Sequence, residues 1–334
     1  MKKILIINTG GTIGMTRTEK GYAPNAAYFR KALLNMDSLR APGMPAWDMI
    51  ELLPLLDSSN MAVSDWNRIG ELVSENYDAY DGFVILHGTD TMAYTASALA
   101  FMLEDLGKPV VLTGSQIPLC EVRSDGRENL ITSMMIAASD RLCEVCIFFG
   151  GKLLRGCRAM KFSSDGLTAF VSPNFQPLAE AGIDIVYNEP LLLPKPSRPM
   201  TLQRLDDVPI GVIKVFPGIQ FQLFEAIMTE SLRGIVIETF GAGNIPASDG
   251  ALLHIIEKAY RNGSIITVCS QCPQGTVLLG TYEASSALTA VGAVSGQDMT
   301  TEAAIAKLYY LFSKGYPAEE IKRLMGTDLR GEES

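Results

Sequence analysis

Lys3-Ile4-Leu5-Ile6-Ile7-Asn8-Thr9-Gly10-Gly11-Thr12-Ile13-Gly14 and Gly82-Phe83-Val84-Ile85-Leu86-His87-Gly88-Thr89-Asp90-Thr91 are built alike: an apolar run, then glycine, then threonine. An apolar run without polar alternation is the pattern of a strand covered on both faces, as in parallel sheets. Each run therefore delivers hydroxyl groups to the carboxyl end of a strand. In open α/β sheets that end borders the crevice where ligands bind, so the two turns are expected to share one site.

Outward from these segments, short β-rich runs alternate with helical patterns, which predicts βαβ units around a parallel sheet. Strands are expected at residues 3–8, 83–87, 110–113 and 145–149. Helices are expected at 64–76, 91–106 and 124–139, with Ser64 capping the first and Ser124 or Asp125 the third. Pro190, Pro194, Pro196, Pro199 and Pro209 then crowd a segment that suits neither a helix nor an interior strand. The pattern resumes with strands at 211–216, 234–239 and 264–269. Helices follow the same alternation at 220–229, 248–262 and 301–314, and a last one runs from Pro317 to Gly326. The expected fold is two-domain α/β. Residues 1–188 form a doubly wound, mostly parallel N-terminal domain, 189–209 a proline-rich linker, and 210–334 a smaller flavodoxin-like parallel domain.

The 334 residues are 47% hydrophobic and 19% charged, with a formal net charge of -9. An acidic chain without a basic run predicts no nucleic-acid partner. Only four strongly apolar residues precede Asn8, too few for a signal-peptide core, and no stretch approaches the roughly 18 apolar residues of a membrane span. A cytoplasmic location without a membrane partner is expected. Among six cysteines, Cys143 with Cys146 and Cys269 with Cys272 have C-x-x-C spacing. The pairs fall in different expected domains and end or begin strands, so they read as small buried hydrophobes, with no metal site.

A dinucleotide fingerprint fails at the first turn, because aligning Gly11 and Gly14 on G-x-G-x-x-G puts Thr9 where the first glycine belongs. Residues 15–24 also read as a polar loop and not as a helix start. Flanked by Gly14 and Gly21, this loop is able to open and close over a site. Tyr22 either brings a phenol to that site or packs on the domain body.

Hydroxyl nucleophiles need an activating base, yet the chain has only His87 and His254. His254 falls on an expected amphipathic helix, and His87 ends a strand, where local hydrogen bonding is its expected part. A lysine held by a carboxylate is the other option, which brings Thr89-Asp90 together with a lysine such as Lys161. Spacing alone does not raise Lys161 above Lys152.

The two opening segments resemble the signature segments of the bacterial-type L-asparaginases. The likeness continues through Leu56-Asp57-Ser58-Ser59, Thr113-Gly114-Ser115-Gln116, Arg123-Ser124-Asp125-Gly126, Gly241-Ala242-Gly243-Asn244 and Asp298-Met299-Thr300, and so over nearly the whole chain. The Asp57-Ser58-Ser59 stretch resembles the cytoplasmic type I branch. The family pattern often carries an aspartate where this chain has Asn60, which removes a charge beside the expected pocket.

The resemblance implies hydrolysis of L-asparagine to L-aspartate and ammonia, without metal or organic cofactor, through a threonine-linked acyl-enzyme. It implies Thr12 as nucleophile, Tyr22 as its aid on the closing loop, and Thr89, Asp90 and Lys161 as the proton-handling group. Substrate contacts carried over by the resemblance are Gly11, Asp57, Ser58, Ser59, Gly88, Thr89, Asp90, Ser115 and Asn244. Asn244 would come from a neighbouring subunit, which implies a homodimer or homotetramer. Alternatives are a glutaminase or amidotransferase-type amidohydrolase of the same fold, and a non-catalytic amino-acid binding protein. The first strand begins within three residues of Met1, which argues against the extra amino-terminal domain of the amidotransferase subunits.

Overall fold

The computed structural model describes residues 1–227, 229–246, 250–280 and 283–334. The chain divides into two compact units, Met1–Arg204 and Leu205–Ser334.

In the first unit, Lys3–Gly10 pairs in parallel with Ala46–Leu56 on one side and Gly82–Leu86 on the other. Val110–Thr113 and Val145–Phe149 extend the parallel sheet beyond Gly82–Leu86. Lys152–Arg155, Ala179–Ala181 and Ile185–Tyr187 complete the eight-stranded sheet as antiparallel additions. Numbered along the chain, the parallel strands lie in the order 2-1-3-4-5, so the winding direction reverses between the first and the third. That reversal is the topological switch point of the flavodoxin-type arrangement, and both threonine-bearing turns leave the sheet there.

Burial explains the apolar runs. Ile4 to Ile7 and Phe83 to Leu86 are all fully buried. With a period of two, Ile4, Ile6, Val84 and Leu86 face Leu130 and Met134 of the helix Gly126–Ala137. In the helix Met92–Met102 every residue except Tyr94 is buried, as a helix apolar all round must be.

Several local expectations need correction. The helix Val63–Glu75 is capped at Ala62, not Ser64: the Asp65 carboxylate accepts the Ala62 amide at 3.0 Å. The helix expected at 91–106 stops at Met102, and Leu103–Glu104 pairs with Thr201–Leu202, giving the proline-rich segment a two-residue strand. Residues 15–24 form a hairpin, Met15–Thr18 against Gly21–Pro24, and not an open loop.

In the second unit Ile210–Lys214, Gly234–Thr239, Ile265–Ser270 and Val294–Ser295 form a parallel sheet in chain order, with no reversal of winding. Residues Phe221–Ile227 form a 3-10 helix where an α-helix is expected, and Met228 lies outside the described residues. The helix expected from Ser248 is described from Ala251 to Arg261, and Ser248 itself lies outside the described residues. Thr301–Ser313 and Ala318–Met325 are helices as expected. Cys146 and Cys269 are buried, Cys143 partly so, and Cys272 is exposed; all are free thiols. No described helix is long and apolar enough to cross a membrane.

Candidate active site

The first turn can leave its strand only because Gly10 and Gly11 take positive φ values, 121° and 85°. A Cβ on Gly10 would sit 2.3 Å from the Leu56 carbonyl oxygen, and one on Gly11 would sit 2.4 Å from the Gly88 amide nitrogen. Lack of a side chain thus lets the first turn wedge between the ends of two neighbouring strands. Thr12 opens the short 3-10 turn Thr12–Gly14 and is partly exposed. The Thr9 hydroxyl donates to the Leu86 carbonyl at 2.8 Å and ties the two strand ends together.

Ser58 is brought to the same place. It is buried, and a Cβ on Gly88 would meet its Oγ at 2.4 Å. Thr91 Oγ1 donates to the Ser58 carbonyl at 2.8 Å, and the Asp57 carboxylate caps the turn Ser58–Asn60 by accepting the Ser59 amide at 3.1 Å. Gly11, Gly88 and Ser58 are therefore one packed group, with the exposed Asp57 and Ser59 at its rim.

Geometry distinguishes the two lysines. Lys161 Nζ donates to Thr89 Oγ1 at 2.9 Å and to Asp90 Oδ1 at 2.6 Å, with its side chain only 20% exposed. Lys152 is exposed at the start of another strand. Lys161 comes from Met160–Lys161, which pairs with Phe170–Val171. The ammonium occupies a lone pair of Thr89, whose own hydroxyl donates onward to Gln116 Oε1 at 3.2 Å. Gln116 Nε2 in turn donates to the Gly166 carbonyl at 3.1 Å.

Gln116 has no role readable from the sequence, and Asp125 is expected there only as a helix cap, which its side chain does not make. Asp125 accepts the backbone amides of Gln116 at 3.0 Å and Ile117 at 2.9 Å, and Asn129 joins it at 3.2 Å. This clamp fixes the turn that carries Ser115, which is 1% exposed and whose Oγ has no hydrogen-bond partner among the described residues. The TGSQ and RSDG segments were visible as motifs; that one clamps the other was not.

His87 is fully buried, and its Nδ1 lies 2.7 Å from the Gly88 carbonyl and its Nε2 2.9 Å from Thr95 Oγ1. Burial pushes its pKa down to about 4, so at neutral pH the ring is uncharged. The neutral tautomer that fits donates from Nδ1 and accepts from Thr95, whose oxygen also accepts from Trp66 Nε1 at 3.0 Å. His87 braces the second turn. His254 is exposed.

Tyr22 sits on the hairpin, 46% exposed, and its hydroxyl donates to Glu121 Oε1 at 2.6 Å. That hydrogen bond holds the phenol above the usual tyrosine range. Asn244 belongs to the second unit, in a tight turn where Phe240 and Asn244 exchange backbone hydrogen bonds of 2.9 and 2.8 Å. Among the described residues no group of three or more His, Cys, Asp or Glu side chains is arranged to hold a metal ion.

Comparison with known proteins bears on both units. A family model described as Asparaginase, N-terminal, matches residues 3–192, and one described as Glutaminase/Asparaginase C-terminal domain matches residues 209–325. The chain is 43% identical over 331 residues to L-asparaginase 1 of Escherichia coli, covering 99% of this chain and 98% of that one. It is 35% identical over 334 residues to the L-asparaginase of Thermococcus kodakarensis, covering 99% of this chain and 98% of that one. The crystal structure of L-asparaginase I from Vibrio cholerae superposes with a TM-score of 0.92 at 45% identity, covering 100% and 99% of the two chains.

Proposed function

The chain belongs to the asparaginase family, and from that premise we propose that it hydrolyses L-asparagine to L-aspartate and ammonia through an ester on Thr12. The observation that carries the reading is the Lys161–Thr89–Asp90 group at the switch point: a lysine 2.9 Å from a threonine hydroxyl and 2.6 Å from a carboxylate, next to a second threonine-bearing turn.

Thr12 Oγ attacks the side-chain amide carbon, and its proton passes to the departing nitrogen, so that ammonia leaves and a β-aspartyl ester remains. Water then attacks the ester, aspartate departs and Thr12 regains its proton. Lys161, held by Asp90, draws a proton through the Thr89 hydroxyl and returns it, a general-base part worth on the order of a hundredfold or more. Tyr22 accepts from the Thr12 hydroxyl when the hairpin lies over the site. Ser58 and the Gly88–Thr89 backbone hold the substrate carboxylate, and Gly11, Asp57 and Ser59 are further substrate contacts. Asp90 pairs with its ammonium, and the Ser115 carbonyl receives the leaving amide. Pairing both charges offsets the cost of taking them out of water.

In this reading residues 1–188 carry the chemistry and 189–209 link them to 210–334, which supplies Asn244 to a neighbouring subunit of a homodimer or homotetramer. The enzyme works in the cytoplasm and needs no cofactor. Ammonia release from L-asparagine and L-glutamine, side by side for wild type and Thr12→Ala, tests it. Asparagine hydrolysis that falls ~1,000-fold or more in Thr12→Ala is the expected result. A glutamine preference would point to the glutaminase alternative, and binding without ammonia to a non-catalytic binding protein. Sigmoidal rates would mark allosteric control by asparagine.

A further inference from the structure

Glu121 has no part in the chemistry assigned so far, yet it makes the 2.6 Å contact that Tyr22 depends on. The contact is one of several between the hairpin region and one short turn. The Leu119 amide donates to the Ile13 carbonyl at 3.1 Å, and Cys120 Sγ lies 3.5 Å from the Met15 carbonyl. The turn itself is closed by the Glu121 amide on the Pro118 carbonyl at 3.0 Å. Its two ends are held by Ser124, which donates to the Ile117 carbonyl at 2.9 Å, and by the Asp125 clamp on Gln116 and Ile117. A rigid path therefore runs from the Thr89 hydroxyl through Gln116 to the carboxylate that holds Tyr22.

We propose that Glu121 is a positioning residue for this reaction: it fixes the Tyr22 phenol and latches the hairpin Met15–Thr18 / Gly21–Pro24 over the first glycine turn. The proposal rests on the reading of Tyr22 as the aid to Thr12. Its chemical content is the direction of a proton. With the phenolic hydrogen committed to Glu121, any further hydrogen bond at the phenol oxygen is one it accepts, which is what a threonine hydroxyl about to lose its proton requires. An ionised acceptor makes such a bond shorter and stronger than a neutral one, in keeping with the 2.6 Å separation.

The test compares Glu121→Ala, Glu121→Gln, Tyr22→Phe and the double variant Glu121→Ala/Tyr22→Phe, reading kcat and KM for ammonia release and tryptic cleavage at the exposed Arg17 and Lys20 of the hairpin. Glu121→Ala is expected to lower kcat roughly tenfold with KM little changed, and to speed cleavage at the hairpin. Glu121→Gln, which keeps an acceptor, should recover part of both. The double variant should be no slower than Tyr22→Phe, since the carboxylate acts only through the phenol. Slow Tyr22→Phe beside wild-type turnover in Glu121→Ala would overturn the role of Glu121 alone. Full turnover in Tyr22→Phe would overturn the reading of Tyr22 and the proposal with it.

Discussion

Gly11 lies so close to Gly88 that a methyl group on the first would sit 2.4 Å from the amide nitrogen of the second. The contact joins the turns of two strands whose paired residues, Ile4 with Gly82 through Asn8 with Leu86, are 78 apart in sequence. Gly11→Ala must displace backbone, and must also hold alanine at a φ of 85°. Left-handed strain costs about 1–2 kcal/mol and overpacking about 1–3 kcal/mol. We expect Gly11→Ala to lose about 2 kcal/mol or more of stability and nearly all activity. Gly21→Ala, with a φ of 112° but nothing within 4 Å, should show the strain alone. Urea denaturation of the two side by side separates the terms; equal losses would mean that the Gly88 contact is not the cause.

Lys161 is the second point of test. Lys161→Met keeps an unbranched apolar stem, one atom shorter, but removes the donor to Thr89 and Asp90. Turnover should fall at least about a hundredfold with the fold intact, because Asp90 is exposed and tolerates loss of its partner. Retention of the circular dichroism spectrum and melting curve, with ammonia release lost, is the expected pair of results. Normal turnover would remove Lys161 from the mechanism.

How far the site was legible follows from the range of each contact. The strand ends could be read because an apolar run and the threonine after it are neighbours in the chain. Which lysine reaches Thr89 could not, since Lys161 meets it across 72 residues and only the fold brings them together. Glu121 gave no signal at all, being one more partly exposed carboxylate until the hairpin folds onto it. The hairpin itself was missed because Met15-Thr16-Arg17-Thr18 lacks alternation, and it is partly or fully exposed throughout. At the helix start, Ser64 looked like a cap by residue type, whereas the reciprocal bond from Asp65 puts the cap two residues earlier. For Lys161 and Glu121 the missing information was a tertiary partner, 72 and 99 residues away; for the hairpin and the cap it was a local bond that residue type alone does not show.

His87 makes stability pH-dependent. Its folded pKa of about 4 lies below the ordinary histidine value of 6.5, so between those pH values the unfolded chain binds more protons than the folded one. Stability from this group is complete above about pH 6.5 and is lost as pH falls toward about 4, at up to about 1.4 kcal/mol per pH unit. Chemical denaturation at pH 7, 6 and 5 should show the decline, and His87→Gln should flatten that part of it. An unchanged slope in the variant would assign the decline to other groups.

Glu333 acts with the opposite sign. Lys307 is fully buried and is already engaged by Glu332 at 2.6 Å, leaving Glu333 at 3.7 Å with a buried oxygen that has no hydrogen-bond partner among the described residues. Burial raises the Glu333 carboxyl to about 7 from 4.5; Lys307 opposes the rise, while Glu332, Asp328 and Asp298 add to it. The folded state therefore holds the proton more tightly, and stability from this group is present below about pH 4.5 and lost as pH rises through about 7. Glu333→Gln should stabilise the protein by on the order of 1–2 kcal/mol at pH 8 and change little at pH 4.5. Lys307→Met should instead cost about 3–5 kcal/mol at pH 8, because it strands the Glu332 charge in the interior. Melting temperatures of the three proteins at both pH values decide the matter: a Glu333→Gln protein no more stable than wild type at pH 8 would mean that Lys307 neutralises both carboxylates and that no strain is held at this end of the chain.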